Sequence, residues 1–329
     1  MGFILKFFVG RLLKLVLLLL AASILAFTLV SNSPVDPVQS YIGAEMTRVS
    51  PEQRENIAAY WGMDEPPVQQ YLKWAKAMLN GDMGTSLIYR SPVAEVIAER
   101  FLASLALMGV AWVFSGLFGF LLGIVAGMKE GSWADRLIKW YCLMLASTPS
   151  FWLGLLLLMM FSVWLGWFPV GLGTPAGILA EDVTLLERVQ HLFLPALTLS
   201  VIGVSGVALH TRQKLIEVMH TDYIRFAMAR GERGIQLVRR HGLRNILLPA
   251  VSLHFASFGE LFGGAVLAEQ VFSYPGLGQA VVQAGLGGDV PLLLGVVLAS
   301  TIFVYMGNMM ADGLYRVVDP RIRKGGIER

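Results

Sequence analysis

The sequence predicts an all-α integral membrane protein with about six transmembrane helices. Hydrophobic residues make up 55% of the 329 residues and charged residues only 15%, whereas charged residues make up about 25% of a typical soluble protein. Several apolar runs reach or approach the roughly 20 residues that cross a bilayer. Lys and Arg are concentrated in alternate loops between these runs, which indicates that those loops stay in the cytoplasm.

The first apolar run predicts a retained span with a cytoplasmic N terminus. Lys6, Arg11 and Lys14 precede the apolar run 15–30, and positive residues beside a span favour the cytoplasmic side. The run is longer than a typical signal-peptide h-region, and no clear small-residue cleavage site follows it. We therefore assign residues 1–30 to an N-terminal segment with the first span, and a cleaved signal peptide is the alternative.

Residues 31–101 are predicted to form a small extracytoplasmic insert between helices 1 and 2. The segment is polar and rich in proline, it has a helical pattern at 69–79, and its acidic residues outnumber its basic residues. Such a balance is typical of a loop outside the cytoplasm. The acidic residues lack the Asp-x-Asp-x-Asp-Gly spacing of a calcium loop, so we interpret them as a solvated face.

Residues 102–329 contain the remaining predicted spans. Ser115, Gly119, Gly123 and Gly127 recur at every fourth position, and such a ridge of small residues lets another helix approach closely. Pro149 interrupts the third apolar run and predicts a bend there. The apolar runs predict spans at 102–128, 140–168, 191–209, 246–268 and 291–314.

The loop at 210–245 lies between two spans and has a strong excess of Arg and Lys, which predicts a cytoplasmic position. Helix propensity predicts a helix at 222–230, the glycines at the ends of 231–234 predict a turn, and 235–240 predicts a second helix. The basic residues of the C-terminal tail likewise predict that both termini are cytoplasmic.

A run of residues in and after this loop has a characteristic order. It consists of Tyr223, Arg225, Ala227, Ala229, Arg230, Gly231, Arg239, His241, Leu243, Arg244, Asn245 and Pro249. This run resembles the cytoplasmic coupling loop of ABC importer permeases of the dipeptide, oligopeptide and nickel class. In that family the short helix of the loop sits in a groove of the ATPase subunit and transmits its closure. From charge alone, the alternative is a basic loop that only fixes topology.

The resemblance extends to other segments and covers nearly the whole chain. Trp61-Gly62-Met63-Asp64-Glu65-Pro66, Gly81-Asp82-Met83-Gly84-Thr85-Ser86 and Phe272-Ser273-Tyr274-Pro275-Gly276-Leu277-Gly278 are similar to external segments of these permeases. The resemblance implies an ABC importer type I permease fold in a bacterial inner membrane. It also implies import of peptides, or of nickel or metal chelates, by alternating access. The implied partners are a second homologous permease, two cytoplasmic ABC ATPase subunits and an extracytoplasmic solute-binding protein.

Ser257, Glu260 and Gly264 are predicted to border the translocation path. A charged residue in the middle of a span costs roughly 2.5 to 3.5 kcal/mol on insertion scales, so Glu260 should face a polar cavity or a partner. Ser257 and Gly264 share its helix face. Alternatively, Glu260 is hydrogen-bonded between helices or protonated. In one straight helix His254 would lie roughly 120° from Glu260, so this pair is not predicted to bind a metal.

Several function classes are excluded by the sequence. The chain has no Gly-Lys dipeptide and therefore no P-loop, so we expect no ATPase site and no catalytic residue. Cys142 is the only cysteine, which excludes an internal disulfide and a multi-cysteine metal site. We predict no cofactor and, at a net charge of +3, no nucleic-acid partner. A secondary carrier or channel independent of ATP is the alternative to the importer, but no repeated broken helices indicate it.

Overall fold

The computed structural model of the chain describes residues 2–32, 50, 65–178 and 182–318. Within these ranges the chain is helical apart from its turns and one isolated antiparallel bridge between Thr85 and Pro92. The predicted all-α class is therefore confirmed. Residues 33–49 and 51–64 of the predicted insert, and the tail at 319–329, lie outside the described residues.

The helices of the described residues follow each other closely along the chain. They are α1 (Gly2–Ser31), α2 (Pro67–Leu79), α3 (Val93–Met128), α4 (Trp133–Ala146), α5 (Ser150–Trp164), α6 (Leu185–Met219), α7 (Asp222–Ala229), α8 (Ile235–Ala256), α9 (Phe258–Val271), α10 (Leu277–Leu286) and α11 (Val290–Val318). The last part of α5, Leu158–Trp164, is π-helical, and α8 includes the π-helical turn Val238–Gly242.

The described helices provide four to six spans, in agreement with the prediction of about six. The helices α1, α3, α6 and α11 are each long and apolar enough to cross a bilayer, and two bent pairs could add two more spans. The pair α4 and α5 is bent by 104°. Pro149 lies between these helices as the residue preceding α5, because its ring and missing N–H do not fit a helix interior. The predicted bend is therefore confirmed.

The fifth apolar run differs from its prediction, because it is broken into α8 and α9 with a bend of 49°. The carbonyl oxygen of His254 accepts hydrogen bonds from the Ser257 hydroxyl at 3.0 Å and from the Trp112 indole N–H at 3.3 Å. Side-chain donors that occupy a helical carbonyl compete with the backbone ladder and bend helices. Periodicity alone gave no sign of this competition.

Several helices extend beyond the predicted spans. The structure begins α3 nine residues earlier than the predicted 102, at Val93. It also extends α6 through residue 219, so that the first part of the predicted loop 210–245 is helical. A capping box of Thr184 and Glu187 fixes the start of α6. The predicted bounds followed the apolar runs, whereas the helices continue through polar residues at their ends.

The described residues form two compact units. The first unit comes from residues 1–104 and 275–305, and the second comes from 105–274 and 306–329. In the first unit, the buried carboxylate of Asp289 accepts hydrogen bonds from the Ser86 hydroxyl at 2.6 Å and from the backbone N–H groups of Ile88 and Leu292 at 3.0 and 3.1 Å. Asp289 thus caps α11 and holds the loop before α3.

In the second unit, the predicted ridge of small residues on α3 lies directly against α6. A methyl group added at Gly119 would lie 2.7 Å from Cβ of Val207 and 2.9 Å from the carbonyl oxygen of Val204. Further along, Gly127 approaches Leu215 in the same way. The contacts advance by four residues in both helices, so α3 and α6 run parallel. The predicted close approach of another helix is confirmed.

We predict that Gly123→Ala lowers the melting temperature of the purified protein by several degrees. Its added methyl would lie 2.6 Å from Cβ of Thr211 and 2.7 Å from the carbonyl oxygen of Ala208. That overlap should outweigh the gain of about 1 kcal/mol in helix propensity. Gly109→Ala is the control on the same helix, because its methyl would meet no atom within 4 Å. Equal melting temperatures for the two variants would contradict the packing argument.

Candidate functional site

The predicted coupling helix is present as α7, and one of its faces is anchored. Ile224 and Ala227 are buried and form a small core with Leu237. On the outward side, Phe226 is 67% exposed and Tyr223 is 47% exposed. Ala227, one of the predicted coupling residues, therefore packs α7 against the rest of the chain. The aromatic side chains of Tyr223 and Phe226 remain accessible.

A glycine turn connects α7 to α8, as predicted. Gly231 has a φ of 93° and Gly234 a φ of 58°, backbone conformations that favour glycine. A Cβ at either position would meet no atom within 4 Å. Glycine is therefore required by the backbone φ angle at each position and not by close neighbouring atoms. The sequence prediction emphasised Gly231, but Gly234 meets the same requirement.

Three of the predicted residues, Tyr223, His241 and Asn245, form hydrogen bonds within this element, and one of these bonds joins α7 to α8. The side-chain amide of Asn245 donates hydrogen bonds to the Tyr223 hydroxyl and to the carbonyl oxygen of His241, both at 2.9 Å. His241 Nε2 lies 3.0 Å from the Glu232 carboxylate, which is also 3.6 Å from Arg240. The remaining predicted residues are the exposed Arg225, Ala229, Arg230, Arg239 and Arg244 and the partly buried Leu243 and Pro249 within α8.

A buried ion pair joins α6 to the start of α4. Arg212 Nε and Nη2 lie 2.5 and 2.8 Å from the two carboxylate oxygens of Asp135, whose side chain is 1% exposed. The same carboxylate accepts a hydrogen bond from the Gly131 N–H at 3.0 Å. Sequence reasoning counted Arg212 among the loop charges and missed Asp135. An acidic residue in the first turn of a helix that is otherwise apolar or basic was the available signal.

The three predicted path residues line one cavity of about 460 Å³ in the second unit. Ser257, Glu260 and Gly264 contribute to its wall, together with Trp112 and His254. The side chain of Glu260 is exposed, and no hydrogen bond or ion pair reaches it from any described residue. This geometry differs from the alternative in which Glu260 is hydrogen-bonded between helices of this chain.

His254 faces the same cavity as Glu260, contrary to the angular argument from the sequence. That argument assumed one straight helix, whereas the chain breaks at Ser257. The His254 ring stacks on Trp112 with 4.5 Å between centroids, and its Nε2 lies 2.8 Å from the Trp112 carbonyl oxygen. Gly116 makes room for the ring, because a Cβ there would lie 2.7 Å from Nε2.

The turn that precedes α10 is held by backbone contacts and burial. The Tyr274 N–H donates to the carbonyl oxygen of Glu269, and the Leu172 N–H donates to that of Phe272, both at 2.9 Å. Burial raises the pKa of the Tyr274 hydroxyl to about 12, and the Glu269 carboxylate acts in the same direction. The phenol therefore stays neutral at physiological pH.

Two family models match the chain. Residues 119–324 match the inner-membrane component of binding-protein-dependent transport systems. Residues 4–108 match the N-terminal part of the membrane component of such systems. Together the two matches include α6, α7 and all of α3 except residues 109–118, and they include Ser257, Glu260 and Gly264 of the cavity.

Curated relatives are similar along nearly their whole length. The oligopeptide transport system permease protein AppB of Bacillus subtilis is 34% identical, with 96% of this chain and 98% of the relative covered. The di/tripeptide permease DppB of Pseudomonas aeruginosa is 35% identical over 97% and 99% of the two chains. The glutathione permease GsiC of Salmonella typhimurium is 36% identical over the same shares.

A solved structure has a similar fold. A chain of the MetNI methionine ABC transporter, in an inward-facing conformation, is 19% identical and superposes with a TM-score of 0.54. The superposition covers 69% of this chain and 97% of that chain. The fold predicted for an ABC importer permease is therefore confirmed.

We predict that Asp135→Ala destabilises the protein, since it leaves the largely buried Arg212 guanidinium without its partner. Breaking one side of a buried ion pair costs about 3 to 5 kcal/mol, which should lower the melting temperature markedly. Asp222→Ala is the control, because Asp222 forms an exposed pair with Arg225 at 3.4 Å and such pairs contribute little. A melting temperature of Asp135→Ala equal to that of this control would rule out a structural role for the pair.

Proposed function

Because the chain belongs to the family of inner-membrane components of binding-protein-dependent transport systems, we propose that it carries peptides across the membrane. It is the multi-pass permease subunit of an ABC importer in the bacterial inner membrane, and ATP is hydrolysed by a separate subunit. This assignment replaces the alternative of a carrier or channel independent of ATP.

The peptide assignment is carried by one observation, the near full-length similarity to permeases of known cargo class. The relatives described above are named for oligopeptides, for di- and tripeptides and for glutathione, which is itself a tripeptide. Nickel or metal chelates, the other cargo of this class of importers, are the alternative outcome of the uptake test below.

The segment 210–245 is proposed to transmit the ATPase cycle to the spans. The anchored face of α7 and the exposed Phe226 and Tyr223 suit a helix that is fixed to this chain on one side and offers aromatic side chains to a partner on the other. The glycine turn and the Asn245 hydrogen bond to the Tyr223 hydroxyl keep α7 at a fixed angle to α8. A loop that served only to orient the chain would need none of these contacts.

The cavity lined by Ser257, Glu260 and Gly264 is proposed to belong to the solute path. An exposed carboxylate deep in a bent span is costly in lipid unless a polar cavity or a solute faces it. The break between α8 and α9 supports this proposal, because interrupted spans are typical of transporter binding sites.

The assembled importer is proposed to contain this chain, a second homologous permease, two cytoplasmic ABC ATPase subunits and an extracytoplasmic solute-binding protein. Membership of a binding-protein-dependent system implies ATPase and solute-binding partners in general. The pairing with a second, related permease follows from the sequence resemblance.

Both termini and the segment 210–245 are proposed to be cytoplasmic, and the segment before α3 extracytoplasmic. The distribution of Lys and Arg supports this orientation. The parallel course of α3 and α6 is consistent with it, since both helices then lead from the outer side to a basic cytoplasmic end.

Loss of this chain should abolish ATP-dependent uptake of labelled trialanine in a strain that lacks other peptide importers. Glu260→Gln should reduce that uptake severalfold while the assembled complex is recovered in normal amount, because it alters the path and not the fold. Uptake of radioactive nickel serves as the parallel measurement. Loss of nickel uptake with normal trialanine uptake would contradict the peptide assignment.

Gly231→Val should leave the complex in the membrane but reduce uptake relative to ATP hydrolysis. A β-branched residue does not tolerate the φ of 93° at this position, so the angle of α7 should change. Gly177→Val is the matched control, with a φ of 83°, open space around its Cβ and a position outside the coupling element. If both variants retained the wild-type ratio of uptake to hydrolysis, the coupling role of this turn would be refuted.

Single cysteines at the exposed positions Asn80 and Gln236 should report the orientation. In a Cys142→Ala background, a membrane-impermeant maleimide applied to spheroplasts should label position 80 at once. Position 236 should be labelled only after permeabilisation. The reverse order of labelling would overturn the proposed orientation.

A further inference from the structure

We propose that the cavity of the second unit binds a protonated amine of the transported solute, with the Glu260 carboxylate as its counter-ion. The inference rests on the proposed function in one respect, namely that this cavity lies on the solute path. It goes further by assigning a chemical group of the solute to named atoms.

The first argument concerns charge. Among the residues that line the cavity, Glu260 is the only acidic one, and none is Lys or Arg. Its side chain is exposed, and the described residues provide it with neither a hydrogen bond nor an ion pair. A carboxylate inside a membrane protein normally has a partner. The charge missing from this cavity is therefore positive.

The second argument concerns hydrogen-bond donors, most of which are already engaged. The Trp112 indole N–H and the Ser257 hydroxyl both donate to the carbonyl oxygen of His254. The Ser115 and Ser205 hydroxyls donate to backbone carbonyls of their own helices at 3.1 and 2.8 Å. The lining is thus poor in free donors, and a bound anion or carboxylate would find few partners.

An ammonium group satisfies both requirements at once. It carries a positive charge and three N–H donors and has no acceptor, which complements an unpaired carboxylate in a donor-poor cavity. The volume of about 460 Å³ is in the range of small-molecule sites. In the described residues no group of three or more His, Cys, Asp or Glu side chains could hold a metal ion, so an amine fits this site better than a metal ion.

Photolabelling of the complete transporter can test this proposal. The probe is alanyl-photoleucine, a dipeptide with a diazirine side chain and a free amine, and its N-acetyl form is the control. The complex, without nucleotide and without binding protein, is irradiated with each probe, and the labelled residues are identified by mass spectrometry. We expect the free amine to label the cavity wall about tenfold more than the acetyl form, as for the loss of one charged hydrogen bond.

Variants of the carboxylate sharpen the test. Glu260→Gln should abolish the preference for the free amine, and Glu260→Asp should retain much of it, because the charge remains. Glu95→Gln, a change at an exposed carboxylate in the first turn of α3, should leave labelling as in the wild type. Equal labelling of the cavity by both probes, or a preference that persists in Glu260→Gln, would overturn amine binding at Glu260 while leaving the cavity on the path. Wild-type labelling that lies wholly outside the cavity, with normal trialanine uptake, would instead overturn the path itself.

Discussion

The close parallel packing of α3 against α6 is the constraint on which the second unit depends. Because the glycines on α3 lack a Cβ, its backbone lies within contact distance of the carbonyl oxygens of α6, and van der Waals contact replaces a hydrophobic driving force that lipid cannot provide. The same alignment brings Trp112 and Gly116 of α3 to His254 of α8. The cavity wall and the bend in the fifth run therefore both follow from where α3 lies.

The element proposed to contact the ATPase is connected to this packed pair through α6. Arg212, in the last third of that helix, forms a bidentate ion pair with the buried carboxylate of Asp135, and α7 begins at Asp222, shortly after α6 ends. Such a pair gives little net stability when it is compared with apolar side chains, but it fixes geometry once it is formed. A movement imposed on α7 would consequently pass to α6 and to the start of α4 together.

The cavity gains its chemical character from the break at Ser257. In an unbroken helix His254 and Glu260 would lie on different faces, and no single cavity would contain both. With the break, both residues line one cavity, in which side-chain donors engage the carbonyl oxygen of His254 and the Glu260 carboxylate stays exposed. A backbone irregularity thus sets the balance of donors and acceptors that a solute would meet.

The sequence by itself determined the features that depend on local composition and spacing. The helical membrane class, about six spans, the bend at Pro149, the small-residue ridge and the helix with its glycine turn at 222–234 could all be read from residues close together in the chain. Each of these features follows from a property of a short segment, such as apolar length, a missing N–H or a backbone angle open to glycine. The predicted alignment of Ser257, Glu260 and Gly264 was local in the same sense.

Only the tertiary structure decided which distant residues meet. Arg212 pairs with Asp135 of α4, and His254 contacts Trp112 of α3. Nothing in the sequence around Arg212 or His254 indicates which residue it contacts. The break at Ser257 likewise needs a donor from α3 as well as its own hydroxyl. The helix ends also exceeded the apolar runs, because the hydrogen-bonded ladder continues through polar residues. A one-dimensional pattern specifies faces and lengths, but the pairing of faces depends on packing that the pattern does not contain.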